Sequence, residues 1–326
     1  MRALVTGATG KVGHATARAL LAGGQEVRAL VRDPARAAAV VPAGVELAHG
    51  DVTDPGSVRR AAEGCEVVFN AMGLPEQWLA DARAFDRVNV GGTRAVVEAA
   101  RAAGARRLVH TSTIDVFHAE PGASFDESVV ADYAKGTAYE RSKQEAERTA
   151  LAGAGDGLEV VVVNPSAVYG PGPAGSASFE EDLFRPVLRR RLPAMTPGGC
   201  GIVFSEGVGA GQLLAAEKGC PGERYILCDA HVTIAELARM AIDVAGRGRV
   251  PPTLPVPAAK AMAAAGEGLS RVIRRPPLLP RGQLYFFLWN AAPSSDKAQR
   301  ELGWRPTDVR DGVRRTLEAH GLLELN

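Results

Sequence analysis

Three glycines spaced three residues apart follow a short apolar segment at the start of the chain. Residues 3–5 have the composition of a buried strand, and Gly7, Gly10 and Gly13 come directly after them. Residues 12–22 then carry apolar side chains at helical spacing. In a dinucleotide-binding unit of this order, the first glycine permits the tight turn and the second lets a pyrophosphate approach the helix N-terminus. The third lets helix and strand pack closely.

The composition fits a globular chain with a large core and excludes several classes of protein. The chain has 326 residues, of which 46% are hydrophobic, enough for one large or two intimate domains. Its formal net charge of +1 gives no bulk electrostatic reason to expect nucleic acid or a membrane surface as a partner. No uncharged run approaches the length of a membrane span, and the N-terminal strand leaves no room for a signal peptide. We therefore expect a cytoplasmic protein.

The cysteines give no sign of a metal site or of a disulfide framework. The four cysteines are Cys65, Cys200, Cys220 and Cys228. Their spacing matches neither a Cys-x-x-Cys pair nor a His/Cys metal-ligand pattern. We therefore expect the cysteines to be free thiols, and we expect no bound metal. His110 lies inside a predicted strand, so we expect it in the core rather than on a ligand.

The glycine spacing, preceded by Thr6, resembles the fingerprint of the extended branch of the short-chain dehydrogenase/reductase superfamily. Residues 294–306 resemble the same family's C-terminal segment, with its Leu-Gly-Trp-x-Pro ending. The resemblance implies an α/β fold: a Rossmann doubly wound parallel sheet with helices on both faces, plus a small C-terminal α/β substrate-binding lobe. The implied ranges are 1–172 for the dinucleotide-binding domain, with returns near 201–230, and 173–200 and 231–326 for the lobe.

Hydrophobic periodicity predicts further elements that bear on the site. We expect a long helix over 79–103, a strand over 107–117, a helix over 138–152 and a helix over 179–191. The basic triplet Arg189–Arg191 is expected at a solvated helix end rather than on a substrate diphosphate. The aromatic run at 285–289 is expected in the core, although a pocket lining or a dimer contact stays open.

The end of the second predicted strand carries the clearest signal about the cofactor. There a dinucleotide fold meets the adenosine ribose: NAD-binding proteins carry an acidic residue, and an arginine accommodates the extra phosphate of NADP. By similarity the acidic position is Val31 here, and Arg32 follows it. The resemblance therefore favours NADP(H). NAD(H) stays open, because Asp33 is an alternative that would face the ribose.

Other cofactor residues follow from the resemblance alone. Asp51 and Val52 resemble the clamp on the adenine ring, residues 71–73 the turn near the nicotinamide ribose, and residues 164–172 the loop beside the nicotinamide amide. The full set that the resemblance places on the cofactor is Gly7, Thr9, Gly10, Lys11, Val12, Gly13, Arg32, Asp51, Val52, Ala71, Met72, Gly73, Lys143, Pro165 and Val168.

Three side chains are expected to carry the chemistry. Tyr139 and Lys143 stand four residues apart on a predicted helix and so share one face. A carbonyl that receives hydride needs a proton on its oxygen, and a nearby ammonium lowers the pKa of a phenol from about 10. We expect Tyr139 as acid or base, Thr113 as a hydrogen-bond donor to substrate, and Lys143 beside the phenol and the nicotinamide ribose. Whether Ser112 or Thr113 supplies the hydroxyl stays open.

The pattern Asn-x-x-Gly-Thr at Asn89 also resembles an element of the extended branch. The resemblance implies that Asn89 shapes its helix and relays protons toward Lys143. Extended members often dimerise through a four-helix bundle, so a homodimer through the helices that contain Asn89 and Tyr139 is a further expectation.

The function that this reading predicts is an NAD(P)H-dependent oxidoreductase that reduces a ketone or aldehyde of a small, moderately apolar molecule. Residues 27–34 and the pair Asn164-Pro165 resemble the dihydroflavonol-4-reductase-like and 3β-hydroxysteroid dehydrogenase-like reductases. Two alternatives stay open: a nucleotide-sugar epimerase or dehydratase with retained NAD+, and a non-catalytic NADP-binding sensor or scaffold. Neither the substrate nor the direction of the reaction follows from the sequence.

Overall fold

A seven-stranded parallel sheet forms the centre of the structure, a computed structural model that describes residues 1–173, 176 and 179–323. Residues 174, 175, 177 and 178 of the predicted lobe, and the last three residues, lie outside this description. In chain order the strands are β1 (Arg2–Thr6), β2 (Glu26–Val31), β3 (Glu46–His49), β4 (Val67–Asn70), β5 (Arg107–Thr111), β6 (Ser124–Phe125), β7 (Glu159–Pro165), β8 (Ala167–Tyr169), β9 (Gly199–Phe204), β10 (Arg224–Leu227), β11 (Ala230–Thr233) and β12 (Ala292–Pro293).

The helices cover both faces of this sheet and build most of the lobe. In chain order they are α1 (Lys11–Ala22), α2 (Pro34–Ala37), α3 (Pro55–Ala62), α4 (Arg83–Phe85), α5 (Gly92–Ala102), α6 (Ala138–Ala152), α7 (Arg185–Leu188), α8 (Ser205–Lys218), α9 (Ile234–Ala245), α10 (Val256–Ile273), α11 (Arg281–Trp289) and α12 (Val309–Ala319). Shorter helical turns are the π-helical turns Asp86–Gly91, Glu180–Phe184 and Ala298–Leu302 and the 3-10 turn Ile114–Val116.

The strand order creates a crevice at the carboxyl ends of β1 and β4. The sheet runs β10-β7-β5-β4-β1-β2-β3, so the chain leaves β1 in one direction and returns on its other side with β4. Thr6 at the end of β1 pairs with Asn70 at the end of β4. Ligands bind outside such a reversal of strand order. The glycine turn and residues 71–73 therefore meet at this crevice, and the predicted doubly wound fold is confirmed.

Successive side chains of the strands point to opposite faces of the sheet and pack in two separate cores. Val5 packs with α1 and α8 on one face of the sheet, whereas Leu4 packs with α3 and α5 on the other. Both faces are covered, so the central strands are apolar almost throughout, as in Glu159–Pro165. The helices α1 and α8 meet at backbone distance, because a Cβ on Gly209 would lie 2.4 Å from the carbonyl oxygen of Ala15.

The lobe is built on a second, three-stranded sheet in the order β11-β9-β8. Its own core contains Tyr169, Phe184, Phe204 and Leu237. Strand β9 belongs to this sheet, whereas α8 and β10 return to the central sheet, so the predicted return begins at Ser205. The chain comes back once more near its end, where residues 298–304 pack on the core beside α8.

Three predicted elements are shorter than the periodicity indicates. The helix over 79–103 begins only at Arg83 and contains the π-helical turn Asp86–Gly91. The strand over 107–117 ends at Thr111, since residues 114–116 curl into a 3-10 turn. The helix over 179–191 ends at Leu188, and the backbone of Arg190 takes a left-handed φ of 55°. The basic triplet therefore lies beyond the helix, exposed to solvent as expected.

A buried ion pair joins the glycine turn to the lobe. Nζ of Lys11 lies 3.0 Å from Oε2 of Glu180, and the two side chains are 7% and 0% exposed. The backbone N–H of Gly170 donates to the other carboxylate oxygen at 2.7 Å. Burial lowers the pKa of Lys11, while the charge of Glu180 opposes this change. An ammonium buried in this way depends on its partner.

We expect Glu180→Ala to destabilise the protein by about 3 kcal/mol, because it leaves the Lys11 ammonium buried without a counter-charge. The matched control is Glu181→Ala, which removes an exposed i,i+4 pair with Arg185 and should cost less than about 0.5 kcal/mol. Urea unfolding of both variants measures the difference. Equal free energies of unfolding would contradict the assignment.

Candidate active site

The start of α6 places two of the predicted side chains at the crevice. A capping box fixes its first turn: the Thr137 hydroxyl accepts from the N–H of Glu140 at 3.1 Å, and the Glu140 carboxylate accepts from the N–H of Thr137 at 2.8 Å. Tyr139 lies within this turn and Lys143 one turn later. The helix therefore holds both side chains on a rigid element.

Lys143 is buried beneath the end of β5. Its ammonium donates to the carbonyl oxygen of Thr111 at 2.8 Å. Burial lowers the pKa of Lys143 to about 8, although the carboxylates of Glu147 and Asp115 act in the opposite direction. The side chain is thus anchored by the strand that precedes the Ser112-Thr113 pair.

The phenol of Tyr139 is held in its neutral form. Burial raises its pKa well above the usual value, and the charge of Asp115 adds to this, whereas hydrogen bonding with the Thr113 side chain opposes it. The ring also packs edge-on against Phe85, with centroids 6.1 Å apart. The lowered pKa expected for this phenol is therefore wrong for this structure, because desolvation is the largest influence on it and acts in the opposite direction. A neutral phenol is a proton donor.

Thr113, rather than Ser112, faces the phenol. The Thr113 hydroxyl donates to Oδ2 of Asp115 at 3.1 Å and accepts from the N–H of Asp115 at 3.3 Å. Its backbone carbonyl accepts from the side-chain amide of Asn164 at 3.0 Å. The hydroxyl of Ser112 is buried and has no hydrogen-bond partner among the described residues. The geometry thus favours Thr113 in the choice that the sequence left open.

Asp115 is a member of this group that the sequence reasoning missed. Its carboxyl is buried, and burial together with the charge of Glu140 raises its pKa to about 7, while Lys135, the Thr113 hydrogen bond and Lys143 oppose the shift. A signal was available, since an acidic residue stands between Ile114 and Val116 in an otherwise apolar stretch. Charged residues are rarely buried without a partner.

Asn89 ties the loop after β4 to α6. Its side-chain oxygen accepts from the N–H of Leu74 at 2.8 Å, and its nitrogen donates to the hydroxyl of Ser142 at 2.9 Å. It is buried within the π-helical turn Asp86–Gly91, and the expectation that it shapes its helix stays a prediction. Its described contacts do not include Lys143, and the proton relay stays a prediction.

The glycine turn has the shape that a pyrophosphate needs. Gly7 has a φ of +73°, and a Cβ there would lie 2.6 Å from the carbonyl oxygen of Ala71; a Cβ on Gly13 would lie 2.3 Å from the oxygen of Gly7. At Gly10 a Cβ would meet one neighbouring oxygen, at 3.4 Å. No side chain caps the first turn of α1, so its backbone N–H groups are available to an anion. The residues present therefore fit a dinucleotide cofactor.

The residues predicted around the adenosine lie together at the ends of β2 and β3. Arg32 is exposed, and its charge reaches Asp51. The pKa of Asp51 is lowered: burial acts to raise it, but two hydrogen bonds from Thr53 and the charge of Arg32 outweigh this. Asp33 accepts from the N–H of Arg36 at 3.1 Å and caps α2. One oxygen of its carboxylate is thus engaged in capping α2.

The remaining predicted positions have the following places. Met72 follows β4 and donates its N–H to the hydroxyl of Thr6 at 3.3 Å. Pro165 ends β7, and Val168 lies in β8. The side chain of Lys11 is committed to Glu180, so only its backbone N–H belongs to the turn. Thr9, Val12 and Val52 lie in or beside the glycine turn and the β3 exit.

The structure also bears on the predictions for His110 and for the cysteines. His110 is buried, its Nδ1 lies 3.1 Å from the amide of Asn70, and burial together with Lys143 lowers its pKa; it is a core histidine, as predicted. The four cysteines are free thiols, with Cys220 exposed and the others buried.

Comparison with known proteins gives one consistent result. Residues 3–198 match the family described as "NAD dependent epimerase/dehydratase family". Sterol demethylase protein B of Methylococcus capsulatus is 35% identical over 95% of both chains. The 4-hydroxy-2-methyl-3-oxo-4-farnesyl-3,4-dihydroquinoline-1-oxide ketoreductase of Stigmatella aurantiaca is 34% identical over 93% of this chain and 92% of its own. The crystal structure of gox2253 is 31% identical, with a TM-score of 0.82 over 98% of this chain and 99% of its own.

The buried carboxyl of Asp115 makes a prediction about stability and pH. Its pKa is about 7 in the folded protein against an ordinary 3.8, so the folded state binds a proton that the unfolded state releases. Stability therefore falls as pH rises from about 4 to 7. We expect Asp115→Asn to be more stable than wild type at pH 8, by on the order of 2 kcal/mol, and to differ little near pH 4.

Thermal unfolding at the two pH values measures this effect. The control is Asp132→Asn, because Asp132 is exposed and its replacement should give no pH-dependent difference. An Asp115→Asn variant that is less stable than wild type at pH 8 would contradict the assignment.

Proposed function

This chain belongs to the NAD-dependent epimerase/dehydratase family, and we propose that within it the protein is an NADPH-dependent reductase of ketones or aldehydes. It is an NAD(P)-dependent oxidoreductase of the extended short-chain dehydrogenase/reductase type. The observation that carries the proposal is the placement of Tyr139 and Lys143 one turn apart at the start of α6, with Lys143 bound to the carbonyl of Thr111, two residues before Thr113. This arrangement supplies the proton donor that a carbonyl oxygen needs when it is reduced. Relatives that are named reductases match almost the whole chain.

The residues of the site divide the work on a carbonyl substrate. NADPH, when bound at the glycine turn, would supply the hydride that the carbonyl carbon accepts. Tyr139 gives its proton to the carbonyl oxygen, and Thr113 orients that oxygen with a hydrogen bond. The ammonium of Lys143, anchored on the carbonyl of Thr111, stabilises the negative charge left on the phenol. Asn89 keeps α6 in register with the loop after β4.

Asp115 acts through Thr113. When the carboxyl is ionised, the Thr113 hydroxyl donates to it across 3.1 Å and has no proton left for the substrate. When the carboxyl is protonated, it can donate to Thr113, whose own proton then points to the substrate oxygen. Because the pKa of Asp115 is about 7, both forms occur near neutral pH. Asp115 is thus a positioning residue for the donor hydroxyl.

The substrate that we propose is a moderately apolar molecule. A cleft of ≈ 940 Å³ borders the start of α6, between the loop after β4 and the helices α10 and α11. Phe85, Leu79, Trp78 and Tyr285 line it together with polar groups. The relatives' names point the same way, since one refers to a sterol and another to a farnesylated quinoline.

Arg32 supports NADPH as the preferred cofactor. It is exposed at the end of β2, beside Asp51, where the adenosine ribose lies in a dinucleotide fold. Asp33, the alternative that would favour NAD, is engaged as the cap of α2. Dimerisation through the helices that contain Asn89 and Tyr139, and a cytoplasmic location, remain predictions.

We expect Tyr139→Phe to lower kcat for NADPH-dependent reduction of an apolar ketone by about 10²–10⁴, because the proton donor is lost. The Kd for NADPH should stay unchanged. The control is Tyr133→Phe, since Tyr133 is 47% exposed and should leave kcat unchanged. If wild type binds NADPH but reduces no ketone, a sensor is favoured, and if it is purified with tightly held NAD+, an epimerase is.

We expect Arg32→Ala to weaken NADPH binding about tenfold or more and to leave NADH binding unchanged, because a charge-assisted contact to the extra phosphate is lost. Fluorescence titration with both cofactors measures this ratio. Arg36→Ala is the control, since Arg36 is an exposed arginine four residues further along. Equal affinity of wild type for NADPH and NADH would contradict the assignment of Arg32.

A further inference from the structure

Helix α10 turns an apolar face toward solvent. The exposed residues of this face recur at intervals of three, four and seven, and they are Ala258, Ala261, Met262, Ala265, Leu269 and Val272. We call this set the exposed stripe. Leu269 and Val272 keep 59% and 80% of their surface exposed. A surface helix normally directs polar side chains outward, and a contiguous exposed apolar patch marks an interaction surface.

Packing on the opposite side of α10 fixes this orientation of the helix. On the opposite side, Ala259 and Ala263 are buried in a small core with Leu284 of α11. The helix is therefore already anchored, and rotating it would exchange this packing for exposure. The apolar surface also continues past the helix, where Ile273 is 50% exposed and Leu278 fully exposed.

The segment that contains the exposed stripe is predominantly basic. Residues 255–282 contain one acidic residue, Glu267, and five basic residues, a net charge of +4 in a chain whose total is +1. The basic residues are Lys260, Arg271, Arg274, Arg275 and Arg281. The side chain of Glu267 is only 13% exposed and accepts from the N–H of Arg281 at 2.8 Å. This local excess of positive charge is not visible in the net charge of the whole chain.

We propose that α10 and the loop after it dock on an anionic lipid surface, with the exposed stripe in the acyl–headgroup boundary and the exposed side chains of Lys260, Arg274 and Arg275 on the headgroups. An apolar helix face with basic flanks is the physical signature of an interfacial helix, and each basic residue adds attraction to anionic lipid. No helix among the described residues has the length and apolar character needed to cross a membrane.

Charge also decides against a second copy of this chain as the occupant. A symmetric dimer places the same patch on both sides of the interface. Two copies of the exposed stripe would bring Arg274 and Arg275 of each copy toward another basic patch, with no exposed carboxylate from residues 255–282 to pair with them. Anionic headgroups supply the missing negative charge.

Docking of α10 would also serve the active site. The inner side of α10 contributes Glu267 and Ser270 to the wall of the cleft that borders the start of α6. The same helix would thus lie between the lipid surface and the cleft. Docking would bring the cleft close to the membrane, where apolar carbonyl compounds accumulate. This part of the inference rests on the proposed reductase function; the docking itself does not.

Flotation with lipid vesicles tests the docking directly. We expect the full-length wild type to bind vesicles of phosphatidylcholine and phosphatidylglycerol, and to bind more weakly in high salt or without the anionic lipid. The double variant Leu269→Glu/Val272→Glu should lower the partition coefficient about tenfold or more. The matched control is Val129→Glu, which alters a 51% exposed valine elsewhere on the surface and should bind like wild type.

Three outcomes would overturn the docking proposal: no binding of wild type to anionic vesicles, an equal loss in the Val129→Glu control, or a wild-type dimer that the double variant splits. Reduction of a short, water-soluble ketone separates this proposal from the function. The double variant should reduce it at the wild-type rate, since the exposed stripe lies outside the site. Absence of ketone reduction in every protein would count against the reductase alone, because flotation requires no turnover.

Discussion

The structure depends on backbone contacts at the crevice that leave no space for side chains. Gly7 touches the end of β4, Gly13 touches Gly7, and Gly209 of α8 touches Ala15 of α1, each at a distance that would exclude a Cβ. These contacts set how closely α1 and α8 approach the sheet. That approach in turn fixes where the uncapped N-terminus of α1 points, and so where a phosphate can bind relative to the ends of β4 and β5.

Desolvation is the second influence, and it decides the protonation states of the site. Asp115 and Lys143 are buried and Tyr139 is half-buried, and desolvation shifts each pKa toward the neutral form. Asp115 and Tyr139 are thus placed to exchange protons, whereas Lys143, with a pKa of about 8, keeps its charge near neutral pH. A single threonine hydroxyl links the carboxyl to the phenol, which makes the orientation of that hydroxyl sensitive to one proton on Asp115.

Much of this could be predicted from local patterns. The glycine spacing reports a strand, a turn and a helix that are contiguous in the chain, and Tyr139 and Lys143 are neighbours on one helix. The features that escaped prediction connect distant segments. The two hydrogen-bond partners of the Asn89 side chain are Leu74 and Ser142, which lie 15 and 53 residues away. The lowered pKa expected for Tyr139 was wrong because periodicity does not measure how deeply a side chain is buried.

The ion pair between Lys11 and Glu180 spans 169 residues of sequence and has a consequence for how such proteins diversify. Substrate range in this architecture can change by replacing the lobe while the nucleotide unit is retained. Here a buried ion pair joins the two parts. A chimera that took its lobe from a relative without the matching carboxylate would therefore leave the Lys11 ammonium buried without a counter-charge. Exchange of lobes in this lineage is therefore expected to proceed with both residues together or with neither.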